Sequence, residues 1–246
     1  YECAICGEPD IDVVIPATGH TAGEWEIVVP ATNHSYGVKA KYCTVCGEEV
    51  ESDIIEQIVP NCHPFTDVAN KDWYHKAVDF VYNSGLMNGI TDKTFAPKLS
   101  TTRGMFVTIL GRLSGIKADE YTFAYFEDVK DGSYYFGYIE WARSNGIVEG
   151  TGNYVFEPDR AITRQEMCKM IYSYANYEEI ELSYPNGKTT FKDDAKIAKW
   201  ARTYVYNCQR AGIVNGDTSG NFRPTDTANR AEIATLIMNF YDNCMK

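Results

Sequence analysis

The chain has 246 residues, 44% of them hydrophobic and 23% charged, with a formal net charge of −11. That apolar content can fill a buried core, and the ordinary charged fraction excludes wholesale disorder. The acidity excludes nucleic acid as a default partner, because phosphate contact needs a basic face. The sequence also has no apolar run long enough to span a membrane.

The charge is unevenly spread. Residues 1–64 hold two Lys and no Arg against eleven Asp and Glu, a net of −9. Residues 65–246 hold 21 Lys and Arg against 23 Asp and Glu, a net of −2. The first residue is Tyr1, with no initiator Met and no signal peptide, so a fragment or processed product is expected.

The first 64 residues carry five of the eight Cys and three of the four His. They show Val- and Ile-rich runs ending in Pro and no helical periodicity, which predicts short strands and turns. Cys3-Ala4-Ile5-Cys6-Gly7-Glu8 aligns with Cys43-Thr44-Val45-Cys46-Gly47-Glu48. Each is followed by an apolar-Pro step and a His: Ile15-Pro16 and His20, then Val59-Pro60 and His63. Two thiolates two residues apart span one edge of a tetrahedron, so paired Cys-x-x-Cys-Gly knuckles point to structural zinc. The expected ligand sets are Cys43 and Cys46 with His63 or Cys62, and Cys3 and Cys6 with His20. Disulfides, favoured by an extracellular setting, and free thiols stay open as alternatives. A boundary is expected in Pro60–Pro64.

Beyond it lies a threefold repeat. Phe65-Thr66-Asp67, Phe126-Glu127-Asp128 and Phe191-Lys192-Asp193 open units of near-equal length. Each continues through Gly85, Gly146 or Gly212; then Gly89, Gly150 or Gly216; then Phe95, Phe156 or Phe222, two residues before a Pro; then Arg103, Arg164 or Arg230. One residue of slippage occurs in the three copies. Every unit reads as helix, loop, helix. The first helix is expected from Tyr74 to Ser84 in copy one, ended by Gly85, and the second begins near Thr102. Units this small need one another to bury a core. The predicted fold is mainly α, with pseudo-threefold helix-loop-helix repeats around a three-helix bundle and a small β-rich Cys/His module in front. By alignment, Cys168 and Cys208 fall on small apolar core positions, and Cys244 on an exposed or frayed end.

The second helices start at Thr102-Arg103, Thr163-Arg164-Gln165-Glu166 and Asn229-Arg230-Ala231-Glu232. Thr or Asn caps the helix and the Glu three residues on completes a capping box, which copy one lacks because Met105 stands there. Those residues are explained by helix initiation. The Arg is not, since a cation in the first turn opposes the helix dipole. Free N–H groups beside a guanidinium fork suit an anion, a carboxylate above all. Internal pairing with the Asp of Phe-x-Asp is the alternative, and both can hold together.

Together the Phe-x-Asp starts, the Gly212–Gly216 stretch, the Phe-x-Pro elements and the Thr-Arg-x-Glu box resemble the S-layer homology domain over residues 65 to about 243. The resemblance implies a spindle of three repeats, at 65–125, 126–190 and 191–246, behind a head at 1–64. It implies non-covalent anchoring to secondary cell-wall polysaccharide, often pyruvylated. Carried over by motif, the implied binding residues are Arg103, Arg164 and Arg230; Asp67, Asp128 and Asp193; and Gly89, Gly150 and Gly216. Trp73, Tyr134 and Trp200 fall where the family places an aromatic, with core packing as the plainer reading of each. Gly104-Met105 in copy one and Asn229 in copy three depart from the pattern. The head is similar to Cys-x-x-Cys-Gly stalk modules of Firmicutes surface proteins, with the matching stretches Ala17–His20 and Gly23–Trp25.

The function expected is therefore wall anchoring on the outer surface of a Gram-positive bacterium. Other surface proteins are candidate partners, and the second reading is an assembly module of a surface lattice or filament. No nucleophile elbow, metalloprotease motif, P-loop or dinucleotide fingerprint points to an enzyme. No cofactor is expected in the repeats.

Overall fold

The computed structural model describes residues 19–30, 37–55, 63–187 and 189–245. Cys3, Cys6 and Cys62 lie outside the described residues. The chain divides into two compact units, Tyr1–Pro60 and Asn61–Lys246.

In the first unit, strands β1 (Glu26–Val29), β2 (Gly37–Tyr42) and β3 (Glu49–Ile55) form an antiparallel sheet in that order. The register sets Lys39 opposite Asp53 and Lys41 opposite Glu51. Both pairs close as cross-strand ion pairs, at 3.1 and 2.8 Å. The two ammonium groups also lie over the Trp25 ring, each 4.5 Å from its centre. Of the unit's described hydrophobic residues only Ala40 and Cys43 are buried, while Ile27, Val28, Val29, Val50 and Ile54 are exposed.

The second unit holds six α-helices: α1 (His75–Asn83), α2 (Arg103–Leu113), α3 (Phe136–Ser144), α4 (Arg164–Tyr177), α5 (Arg202–Arg210) and α6 (Arg230–Phe240). With one small sheet in the first unit, the described chain is mainly α. The odd-numbered helices end at Gly85, Gly146 and Gly212, whose φ of 69°, 70° and 72° is the left-handed conformation that closes a helix. The even-numbered helices begin at Thr102, Thr163 and Asn229, whose side chains accept from the N–H three residues on. The box is reciprocal in α4 and α6; α2 has only its first half.

Helix packing passes from repeat to repeat. α3 packs on α2, α5 on α4, and α1 on α6. So the first helix of each repeat rests on the second helix of the repeat before, and the first repeat rests on the last. The backbone closes the same circle. Thr101 N–H donates to Ala228 O at 2.9 Å, Ile162 N–H to Thr101 O at 3.0 Å, and Ala228 N–H to Ile162 O at 3.1 Å.

Within each repeat, the opening Phe packs on the Phe of Phe-x-Pro. The ring centres are 5.4, 5.3 and 5.2 Å apart for Phe65–Phe95, Phe126–Phe156 and Phe191–Phe222. The residue between Phe and Pro has a positive φ: 58° at Ala96, 60° at Glu157 and 56° at Arg223. Side chains there cost about 1–2 kcal/mol. The Asp two residues after the opening Phe holds that bend. Asp67 accepts from Phe95 and Ala96 N–H at 2.9 and 2.7 Å, Asp128 from Phe156 and Glu157 at 2.8 and 2.6 Å, and Asp193 from Phe222 and Arg223 at 2.7 and 2.8 Å.

Cys168 and Cys208 are fully buried, and the Cys208 Sγ lies 3.6 Å from the Cys168 carbonyl. The Cys168 contact and burial together push the Cys208 thiol well above its ordinary value, so it is inert. Cys244 differs from expectation. It is half-buried against the core in a final π turn, Tyr241–Met245, that continues directly from α6.

Candidate functional site

The three arginines at the starts of α2, α4 and α6 occupy equivalent places. Their Nε donates to the Phe-x-Pro carbonyl of the next repeat in the circle: Arg103 to Phe156 at 2.9 Å, Arg164 to Phe222 at 2.8 Å and Arg230 to Phe95 at 2.7 Å. The guanidinium lies over that same Phe ring, at 4.5, 5.1 and 4.4 Å. Nη2 reaches a loop carbonyl: Glu149, Asn215 and Asn88 respectively. All three side chains are buried. Burial pulls the pKa of Arg103 and Arg230 down, and nearby carboxylates oppose it. The first-turn opposition to the dipole is therefore offset by carbonyl dipoles and a π face.

Internal pairing does occur, but not with the Phe-x-Asp carboxylates. Those oxygens are taken by backbone N–H groups, so Asp67, Asp128 and Asp193 fix the Phe carbonyl and ring that each Arg meets, and Asp67 and Asp128 also act by charge on Arg230 and Arg103. The ion-pair partner is the capping-box Glu of the next repeat. Arg103 Nη1 is 3.1 Å from Glu166 and Arg164 Nη1 is 3.5 Å from Glu232. Arg230 has no such Glu, because copy one carries Met105 there. Among the described residues its Nη1 has no hydrogen-bond partner.

Two clefts open beside these groups. One, of about 310 Å³, is lined by Arg103, Glu166, Lys169, Trp200 and the Ile147–Thr151 loop that contains Gly150. The other, of about 610 Å³, is lined by Arg164, Glu232, Asn239, Trp73 and the Ile213–Thr218 loop that contains Gly216. Each cleft thus takes its Arg, its Gly loop and its aromatic from three different repeats. Tyr134 is placed for the third set, close enough to Arg112 and Arg230 for their charges to act on its phenol. Trp73 is 66% exposed, Tyr134 57% and Trp200 49%, which rules out core packing as their main role.

The loop glycines have a packing reason. A Cβ at Gly89 would lie 2.5 Å from the Phe65 ring, and one at Gly150 would lie 2.8 Å from the Phe126 ring. At Gly216 the corresponding gap to Phe191 is 3.2 Å.

Sequence reasoning missed two participants. The capping-box Glu residues were read only as helix starts, although their spacing to the Arg was visible. Lys169 stands in the place of Thr108 and Thr235, so no repeat marks it. Its ammonium is 2.6 Å from Glu149 and 5.9 Å from the Trp200 ring centre, which adds a second cation to the Arg103 cleft.

The expected metal ligands fall into different groups. In the first unit His20 comes together with Cys43 and Cys46, the second knuckle. His63 belongs to the second unit, where it is buried with His75 and Asp79. Its Nδ1 accepts the Phe65 N–H at 3.2 Å. That places its proton on Nε2, which is then unable to coordinate a metal. The ring stacks on Phe65 at 5.2 Å, and within its own unit His63 is a buried core histidine.

The fold and the clefts define a chain of three tandem helix-loop-helix repeats that share their sites. The model of the S-layer homology domain matches residues 64–104, 125–168 and 190–234, more than half of the chain, and the chain belongs to that family. It is similar to an amylopullulanase of Thermoanaerobacterium thermosulfurigenes, 36% identical over 70% of this chain and 9% of the relative. It is similar to an exoglucanase of Acetivibrio thermocellus, 34% identical over 70% of this chain and 16% of the relative. It also resembles an S-layer protein of Bacillus anthracis, 27% identical over 75% of this chain and 21% of the relative. The chain thus spans only a small part of the length of these relatives. No helix among the described residues is long and apolar enough to cross a membrane.

Proposed function

We propose that the three repeats hold a bacterial surface protein to the cell wall by binding an acidic, pyruvylated secondary cell-wall polysaccharide. The reading places the repeats pseudo-threefold about a three-helix bundle, outside a Gram-positive cell, with no catalytic role. The observation that carries it is the composite cleft, in which the edge of a buried Arg faces an exposed aromatic from another repeat. A guanidinium suits the carboxylate of a pyruvyl ketal, and a flat aromatic face suits the apolar side of a sugar ring. The relatives add support. Two polysaccharide-cleaving enzymes with different names and an S-layer protein share this region, so its role is one that does not depend on their chemistry. Three modest sites on one chain gain avidity on a repetitive polymer.

The test is sedimentation of the chain with isolated Gram-positive walls, before and after removal of secondary polysaccharide. Binding that disappears on stripping, and that soluble polymer competes away, supports the proposal. Equal binding to stripped walls, or self-association indifferent to soluble polymer, sinks it in favour of a lattice-assembly role.

A further inference from the structure

We infer that His20, Cys43 and Cys46 bind a structural zinc ion that staples the N-terminal unit together, a site independent of the wall-binding clefts. The three donor atoms lie within 4.8 Å of one another. His20 Nδ1 is 3.3 Å from Cys46 Sγ. With Zn–S of about 2.3 Å and Zn–N of about 2.0 Å, the edges of a tetrahedron are roughly 3.5 to 3.8 Å, so the group can close on an ion with small adjustments. Two thiolates and an imidazole form a soft donor set that favours zinc over magnesium or calcium.

The backbone prepares each ligand. Gly47 has a φ of 76° and its N–H donates to the Cys43 carbonyl at 2.9 Å. Cys43 N–H in turn donates to Glu48 O at 2.8 Å, so the two cysteines are held on one tight turn. The Val45 N–H points at the Cys43 sulfur from 3.5 Å. His20 comes from the preceding segment, which pairs with the knuckle: Ala22 bridges Cys43, Gly23 N–H donates to Tyr42 O at 2.9 Å, and Thr44 N–H donates to Thr21 O at 3.0 Å. The other face of the ring meets Glu48, whose carboxylate is 3.5 Å from Nε2. A proton held there leaves the Nδ1 lone pair facing the sulfurs, the arrangement that orients metal-bound imidazoles.

The unit also needs a staple. Its 31 described residues bury one alanine and one cysteine as core hydrophobics, little apolar surface to order them. An ion linking His20 to the knuckle ties the segment before β1 to the turn between β2 and β3. The described residues supply three donors, which leaves one tetrahedral position for a fourth.

The test is metal and thiol analysis of the full chain, purified with its thiols kept reduced. Zinc content should fall by one equivalent in the Cys43→Ser, Cys46→Ser double variant, while the helical circular dichroism of the repeats is unchanged. Exchange of zinc for Co(II) should give a thiolate-to-cobalt absorption that shifts in His20→Gln. Zinc content equal in wild type and double variant overturns the site. So does a wild-type chain that neither holds zinc nor takes up Co(II), or one that carries a Cys43–Cys46 disulfide under these conditions. A cobalt spectrum indifferent to His20→Gln removes the imidazole from the ligand set and overturns the inference as stated.

Discussion

Arg103 Nη1 and Glu166 Oε1 lie 3.1 Å apart and join the first turns of two helices from successive repeats. The same carboxylate takes Arg160 at 2.6 Å and the Thr163 N–H at 2.9 Å. Burial alone would raise this carboxyl; Arg160, Thr163 and Arg103 outweigh it and hold it at about 2 against an ordinary 4.5. A depressed carboxyl contributes stability above its unfolded value and loses it as pH falls through the folded value. The repeats should therefore lose roughly 2–3 kcal/mol between pH values of about 5 and 2 from this group. Glu166→Gln should cost a similar amount at neutral pH and flatten that part of the acid limb in denaturant melts. A variant as stable as wild type at pH 7 would contradict this.

Met105 leaves Arg230 with the least neutralised charge of the three. Met105→Glu should restore the missing pair and complete the capping box. Stability should rise by about 1 kcal/mol. Affinity for acidic wall polymer should fall several-fold, because the new carboxylate competes for the guanidinium. Calorimetry with soluble polymer reads both the affinity and the number of sites. A variant that binds more tightly would show that the Glu helps hold the ligand.

Asp128 supports the Arg103 cleft without touching it. Asp128→Ala removes two charge-assisted bonds from a strained bend and should destabilise the repeats by about 3 kcal/mol. At a temperature well below the melting midpoint, wall affinity should be close to that of wild type. Full loss of binding by a folded Asp128→Ala chain would place this carboxylate in the cleft after all.

Trp200 is the exposed aromatic of the Arg103 cleft. Trp200→Ala should weaken polymer binding by about tenfold at that cleft, in the range of a lost stacking contact. It should lower the melting midpoint by only a few degrees, since about half of the side chain is already exposed. Equal affinity would make Trp200 a bystander.

His63 gives a second pH signature. Burial lowers its pKa below 6.5, with Asp79 opposing and His75 reinforcing. A base with a depressed folded value contributes stability above its unfolded pKa and loses it as pH falls. The slope should appear just below pH 6.5, above the range where Glu166 acts. His63→Phe keeps the stack on Phe65 and should remove that slope. A slope that persists unchanged would assign it elsewhere.

The sequence made the repeat unit, its helix ends and its caps legible, because Gly, Pro, Thr and Asn each have a local backbone reason to be where they are. Asp67, Asp128 and Asp193 are visible as a repeated position, but the backbone bend they hold is not. Their partners lie 28 to 30 residues on, and no local pattern shows that two backbone N–H groups point at them. The partners of each Arg were hidden for a stronger reason. Trp200 serves Arg103 and Trp73 serves Arg164 because the repeats interlock in a circle, and alignment of copies cannot reveal which copy neighbours which. In the head, the likeness of the two knuckles suggested two parallel ligand sets, whereas His20 crosses to the second.

The three-way exchange of backbone bonds among Thr101, Ile162 and Ala228 treats no repeat as first or last. Cutting the chain between two repeats and joining its old ends through a linker would leave every such bond available, so circular permutants of the triplet should fold. Deleting one repeat has the opposite effect. It removes two of the three bonds and takes a wall from every cleft, so the triplet, and not the single motif, is the smallest piece that can be moved between genes and still work.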